Sequence, residues 1–278
     1  MTEFLNIEGR RIAYDVTGAG PLVVLSHGMG ERRSGFRFLV PQLVAAGYRV
    51  ATADLRGLGE SDTGWPAYTR TETAGDLLAL IRHVGGPAII MGHSYSGGAA
   101  TIAAAREPEL VSGIVEFDPF TRAQKLDLGG LLRVKRYRKG MALLLGAGLF
   151  GSVGLWARYL NHAFPGTKPA DYAAEVAALQ ANLREPGRMG ALQKMGRSQP
   201  TDAGAQLPSI RCPALVIMGT LDPDWPDPKT EAEGIVTAMP AGLGAVAMIE
   251  GAGHYPHTQF PDQVAAAILP FLKEHARA

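Results

Sequence analysis

Residues Leu22–Ser26 read LVVLS, an apolar run with no polar alternation. A strand with one wet face alternates in polarity, so a run like this fits a strand covered on both faces. Arg49–Ala53 and Ala88–Met91 are similar, and Gly113–Phe117 is a weaker match. Between these runs, Leu39–Ala46, Thr71–His83 and Gly97–Arg106 have helical spacing and composition. Strands alternating with helices predict a parallel sheet with right-handed crossovers and helices on both faces. Upstream, Phe4–Ile7 and Arg11–Asp15 read as two strands joined by the turn Glu8-Gly9-Arg10.

The alternation stops after Phe120. Residues 123–206 offer no convincing strand, only helical stretches such as Tyr172–Arg184 punctuated by Gly and Pro. They carry 12 Lys/Arg against 5 Asp/Glu, a net of +7, while the rest of the chain sums to −6. The pattern resumes with Ala214–Met218, a helix near Thr230–Ala238, a strand near Ala245–Ile249 and a closing helix Pro261–His275. We therefore expect a core of residues 1–122 and 207–278, with 123–206 inserted as a helical cap over one end of the sheet. Gly140–Ala157 is 18 residues without charge behind the basic run Arg133–Lys139, which superficially suggests a membrane span. Its five glycines and its place between two halves of one sheet favour a lid segment facing an apolar pocket. Shallow membrane contact is the alternative.

Composition bounds the rest. With 278 residues, 46% of them hydrophobic and 19% charged, the chain can bury a substantial core. A net charge of +1 gives no drive toward nucleic acid. The single cysteine, Cys212, excludes an internal disulfide framework and a cysteine-based zinc cluster. The opening MTEFLNIEG lacks a basic region followed by an apolar run, so a soluble cytoplasmic enzyme is the expectation.

The chemistry starts at Ala88–Gly98 (AIIMGHSYSGG), where a buried strand runs through Gly92 into Ser94 and then small residues opening a helix. This is the pattern of a nucleophile elbow, whose sharp turn lifts Ser94 Oγ above the strand ends. The turn needs small residues two before and two after the nucleophile. Gly92 supplies the first; the second is Ser96, where the strict pattern has glycine. A plain helix cap at Ser94 is the competing reading. A serine nucleophile needs a base that is itself oriented by a carboxylate. His254, in Glu250-Gly-Ala-Gly-His254 just past the last strand, is the candidate base, with His257 in reserve. His93 and His83 read as structural. Asp222, in Gly219-Thr-Leu-Asp222-Pro-Asp224, is the candidate acid, with Asp224 in reserve; Asp118 and Glu116 could replace it, shape the pocket, or belong to the hinge. Asp222, Asp224 and Asp227 lack the Gly and distal Glu of a calcium loop.

The order Ser94, Asp222, His254 resembles that of the α/β-hydrolase superfamily over nearly the whole chain. Ser26-His27-Gly28-Met29-Gly30 resembles its His-Gly oxyanion loop, and Asp54-Leu-Arg-Gly57-Leu-Gly59-Glu-Ser61-Asp62 its D-x-R-G-x-G-x-S stretch. The resemblance implies an α/β-hydrolase fold: a mostly parallel eight-stranded sheet, helices on both faces, and an inserted helical cap. It places the oxyanion-hole amides on Met29 and Tyr95 and gives Asp54, Arg56 and Ser61 only loop-tying roles. Relatives with aspartate at the elbow open epoxides or displace halides, whereas serine directs the chemistry to acyl transfer. The expectation is carboxylic-ester hydrolysis of a small-molecule substrate without metal or organic cofactor. Lactone hydrolysis, C–C bond cleavage, acyl transfer and cofactor-free peroxidation fit the same triad. A small-molecule receptor with a vestigial triad and a membrane-associated lipid hydrolase are the readings from other classes.

Overall fold

The computed structural model describes residues 1–123 and 127–277. Its single sheet contains β1 (Glu3–Ile7), β2 (Arg10–Thr17), β3 (Leu22–Ser26), β4 (Arg49–Ala53), β5 (Ala88–His93), β6 (Val111–Phe117), β7 (Ala214–Gly219) and β8 (Gly244–Ile249). The strand order is β1-β2-β4-β3-β5-β6-β7-β8. β2 pairs antiparallel with β1 and β4, and every other pairing is parallel. This is the mostly parallel eight-stranded sheet that the resemblance implies.

Why the central runs lack alternation is visible in the packing. Every residue of β3, β5, β6 and β7 is buried. On one face, Val24, Ile90, Ile114 and Val216 pack with Leu77, Leu78 and Ile102 of the helices Arg70–Val84 and Tyr95–Arg106. On the other, Val23, Leu25, Ile89, Met91 and Leu215 pack with Leu39, Leu43, Ile268 and Leu272 of Leu39–Ala45 and Pro261–His275. Each such side chain contributes about 1.5–3 kcal/mol by leaving water, so both parities of these strands must be apolar.

Arg70–Val84 and Tyr95–Arg106 start earlier than their apolar spacing predicts, for different reasons. Arg70–Val84 is opened by a capping box: Thr69 N–H donates to Glu72 Oε2 at 3.2 Å, and the Thr69 side chain serves the helix amide three residues on. Tyr95–Arg106 starts directly at the elbow, because the turn after β5 spends a single residue.

Between β6 and β7 run the helices Leu128–Arg133, Lys135–Phe150, Val153–Ala163, Tyr172–Arg184, Arg188–Arg197 and Thr201–Gly204, with no strand among the described residues. Residues 124–126, near the start of the expected insertion, lie outside the described set. The uncharged 140–157 stretch is not one helix. Lys135–Phe150 ends at Gly151 in the left-handed region (φ +59), and Ser152 Oγ accepts from Leu155 N–H at 3.2 Å to start Val153–Ala163. No helix among the described residues is long and apolar enough to cross a membrane. The segment is tied to the strand-end loops by polar contacts. Trp156 Nε1 donates to Gly30 O at 3.2 Å, Arg37 grips Asp171 with two bonds of 2.6 and 2.7 Å, and Asn182 bonds both N–H and C=O of Gly59.

Candidate active site

β5 ends at His93 and the next helix begins at Tyr95, so Ser94 alone makes the turn. Its φ of +53 and ψ of −114 place a non-glycine residue in a strained region, at a cost of order 1–3 kcal/mol. Neighbouring backbone holds it there: Ser94 N–H donates to Phe117 O at 2.8 Å, and Ser94 O accepts from Gly97 and Phe120 amides at 3.1 and 3.0 Å. Gly92 has to be glycine, since a Cβ there would lie 2.3 Å from Ser96 O. Ser96 is more than a small residue filling a tight turn. Its hydroxyl donates to His27 O at 2.6 Å and accepts from Ser26 Oγ at 3.0 Å, which fastens the elbow to the loop after β3. That loop comes very close: a Cβ on Gly28 would lie 2.9 Å from His93 Nδ1 and 3.0 Å from Ser94 Cβ.

Ser94, Asp222 and His254 are brought together in one line. His254 Nε2 is 2.9 Å from Ser94 Oγ and its Nδ1 is 2.9 Å from Asp222 Oδ2. Asp222 follows β7, with its other oxygen accepting from Asp224 N–H at 2.9 Å. Of the reserve residues, Asp224 flanks the line, 3.5 Å from His254 Nδ1 and accepting from Tyr159 OH at 2.6 Å. Asp118 accepts from Gly219 N–H at 2.9 Å and lies against Asp222. Glu116 is turned away, bonded by Thr101 and Thr121 hydroxyls. His257 is buried against Phe36, His93 and Phe117, with neither ring nitrogen partnered among the described residues.

The buried charges are arranged around the imidazole. Burial pushes His254 down, but the Asp222 and Asp224 carboxylates more than offset it and hold the pKa well above the ordinary imidazole range. Burial would raise Asp222, and His254 outweighs it and keeps the carboxyl below its usual range. Burial, with the nearby Asp222 charge, drives Asp118 up; burial first and then Asp222 put Asp224 at about 6. Of the three clustered acids, only Asp222 is held below its usual range, by its contact with His254.

His93 and His83 serve the scaffold. His93 Nδ1 meets Glu31 Oε2 at 2.8 Å and its Nε2 meets His254 O at 2.8 Å, while Glu31 Oε2 also accepts from Gly28 N–H at 3.2 Å. Glu31 and His93 thus link the loop after β3 to the backbone of His254. His83 Nε2 bonds Tyr14 OH at 2.9 Å. Asp54 ties Arg33 and Glu60 amides, Arg56 pairs with Asp76, and Ser61 bridges Asp54 O and Ala13 N–H. Among the described residues, two triplets bring ligand atoms within 4.8 Å of one another: Glu31, His93 and His257, and Asp118, Asp222 and His254. In each, the central histidine already spends both nitrogens on hydrogen bonds. Sequence reasoning singled out the line itself and passed over Glu31 and the hydroxyl of Ser96; a lone Glu after a strand and a small residue in a turn carry no signal of their partners.

Above Ser94 lies a cavity of about 320 Å³ whose lining includes Met29, Tyr95, Phe120, Leu144, Leu149 and Trp156. Tyr95 is the first residue of its helix, so its N–H is among the amides without an intrahelical acceptor. Met29 and Tyr95 therefore line the same cavity as Ser94.

The alpha/beta hydrolase family model matches residues 23–267. The polyketide synthase ThaQ of Burkholderia thailandensis is 31% identical over 266 residues, which span 94% of this chain and 12% of that protein. The 2-(acetamidomethylene)succinate hydrolase of Mesorhizobium japonicum is 26% identical over 271 residues, 92% of this chain and 89% of that one. Among solved structures, a malate-bound thermophilic esterase from Thermogutta terrifontis superposes with a TM-score of 0.75 at 23% identity, covering 99% of this chain and 98% of its own. The chain belongs to the alpha/beta hydrolase family and is a hydrolase.

Proposed function

We propose that the chain is a serine hydrolase that cleaves carboxylic esters of small to medium apolar substrates through an acyl-enzyme. The observation that carries this reading is the unbroken line Ser94 Oγ–His254–Asp222 opening into the apolar cavity. His254 takes the Ser94 proton as Oγ attacks the ester carbonyl, and Asp222 orients the ring and stabilises the imidazolium. The Asp222 and Asp224 carboxylates that hold the pKa of His254 up stabilise the imidazolium this transfer forms. The Met29 and Tyr95 amides hold the developing oxyanion. His254 then protonates the leaving alcohol, and a water activated by the same imidazole releases the acid. The reading needs neither metal nor organic cofactor.

Within this proposal residues 123–206 act as a cap on a core of 1–122 and 207–278, its leucines shaping the apolar end of the pocket. A cytoplasmic setting, a small-molecule ester as partner and no nucleic acid belong to the same reading. The test is p-nitrophenyl ester hydrolysis over a series of acyl lengths, wild type against Ser94→Ala. We expect a loss of at least about 10⁴-fold in the variant, the scale of triad removal, with an optimum at short to medium chains. Activity that survives in Ser94→Ala would refute the assignment.

A further inference from the structure

Among the described residues two arginines, Arg56 and Arg70, are buried, and only Arg56 is bonded to a carboxylate. Arg56 is gripped by both oxygens of Asp76 at 2.7 and 2.8 Å. Arg70 is 4% exposed and lines the cavity that contains Ser94. Its hydrogen bonds go to neutral groups: Nε to Phe120 O at 3.1 Å, and Nη1 to Ser198 O and Oγ at 3.0 and 3.2 Å. Nη2 has no protein acceptor among the described residues. Asp202, the acid whose charge favours protonated Arg70, is bonded by Thr71 Oγ1 at 2.9 Å and forms no ion pair with Arg70 among the described residues.

A guanidinium stays protonated in a protein, and a buried cation without a counter-charge is costly. Burial accordingly pulls the pKa of Arg70 down. The charge also has a place in the site. Its guanidinium carbon lies 4.4 Å from the centre of the Tyr95 ring, and Tyr95 directly follows Ser94. Phe120, whose carbonyl accepts from Arg70, donates its own N–H to Ser94 O. Arg197 adds a second cation to the same lining, whose other walls are largely apolar.

Resting on the ester reading of Ser94, we infer that Arg70 binds a carboxylate of the substrate, so that the ester cleaved is a half-ester of a dicarboxylic acid with an apolar spacer. The guanidinium supplies the donors left without a protein partner, and the substrate supplies the missing negative charge. The uncleaved carboxylate docks at Arg70 while the ester carbonyl reaches Ser94 Oγ.

The test compares monoethyl succinate, glutarate and adipate with ethyl butanoate, pentanoate and hexanoate, following acid release. The wild type should prefer the best half-ester over its neutral counterpart by about 10- to 100-fold in kcat/KM, the scale of a charge-assisted hydrogen bond. Arg70→Gln should collapse that ratio toward one, chiefly through KM, and Arg70→Lys should keep part of it. A merely structural Arg70 would leave the ratio unchanged, which overturns the inference, as does a wild-type preference for the neutral esters. If Arg70→Gln does not fold, the same ratio is read on Arg70→Lys. Calorimetry on the Ser94→Ala protein separates the two readings, since binding there needs no turnover. Tighter binding of monoethyl adipate than of ethyl hexanoate, lost on adding the Arg70 change, supports the anchor even where no ester is hydrolysed. Equal binding of the two overturns it.

Discussion

At the carboxyl edge of the sheet, Ser94, Asp222 and His254 are buried and bonded to one another, and the loops that carry them are pinned by Ser96, Glu31 and His93. The helix Lys135–Phe150 lying across the same cavity buries only Tyr137, Gly140 and Ala147, and it leaves Leu145, Leu149 and Phe150 exposed to 60, 71 and 74%. Few buried contacts mean a low cost of local opening. The difference teaches a division of labour. The proposed chemistry needs groups held within a fraction of an ångström and stands on strands packed on both faces. On the proposed ester reading, selection of the substrate's apolar part falls to a surface that can adjust, or be mutated, without loosening the reacting atoms.

The strongest way to break this comparison is to damage the rigid side. Asp222→Asn keeps the shape but leaves His254 without its ionised partner, so kcat should fall by about 10³–10⁴-fold, as for a triad with a misdirected imidazole. The same change removes the largest carboxylate contribution that raises His254. A base must start neutral, so the residual activity should appear at lower pH than in the wild type. A pH profile of kcat/KM reads both effects. Asp224→Asn, flanking at 3.5 Å, should cost far less; equal losses would mean that the two acids share the role.

Rigidity on the strand side also has a pH-dependent cost. Glu116 is buried in β6 and burial carries its pKa to about 7, with threonine hydroxyls pulling the other way. A carboxyl raised in the fold is bound more tightly to its proton there than in the unfolded chain. Its ionisation therefore destabilises the fold as pH rises from the ordinary carboxyl range through about 7. Glu116→Gln, which mimics the protonated form, should gain stability over wild type by a few kcal/mol at pH 8 and nothing at pH 4. Denaturant melts at the two pH values check it; a constant difference would show that packing, not titration, sets the effect.

How much of this was legible in the sequence follows the same boundary. β3, β5 and β7 are apolar at both parities because both faces are covered, so their runs announce themselves, and the elbow is marked by Gly92 because no Cβ fits there. His254 and Asp222 could be picked because they follow strands at the edge where loops converge. What stayed hidden depends on contacts between distant loops. Ser96 reads as a small turn residue until its hydroxyl meets His27 O, and Glu31 reads as a surface charge until Gly28 and His93 close on it. Arg70 falls just before the helical stretch read at Thr71–His83, and nothing local says that Asp76 pairs with Arg56 and that Arg70 has no such acid. In the helical segment, glycine content argued correctly against a membrane helix, but the break at Gly151 depends on one left-handed residue that composition does not locate.

The smallest effect sharpens the comparison from its soft side. Leu149 lines the cavity and is mostly exposed, so Leu149→Ala removes little buried area and should change stability by less than about 0.5 kcal/mol, the range of ordinary surface substitutions. On the proposed ester reading the same side chain covers the substrate's apolar portion in the bound state. Each methylene that loses this cover forfeits at most about 0.8 kcal/mol, so KM should rise several-fold for the longest acyl chains while short esters and kcat are left nearly as they were. A melt and a chain-length series on one variant measure both quantities. If Leu149→Ala lowered kcat equally for every chain length, the exposed helix would be positioning the reacting groups as well, and the division between a rigid chemical edge and an adjustable wall would fall.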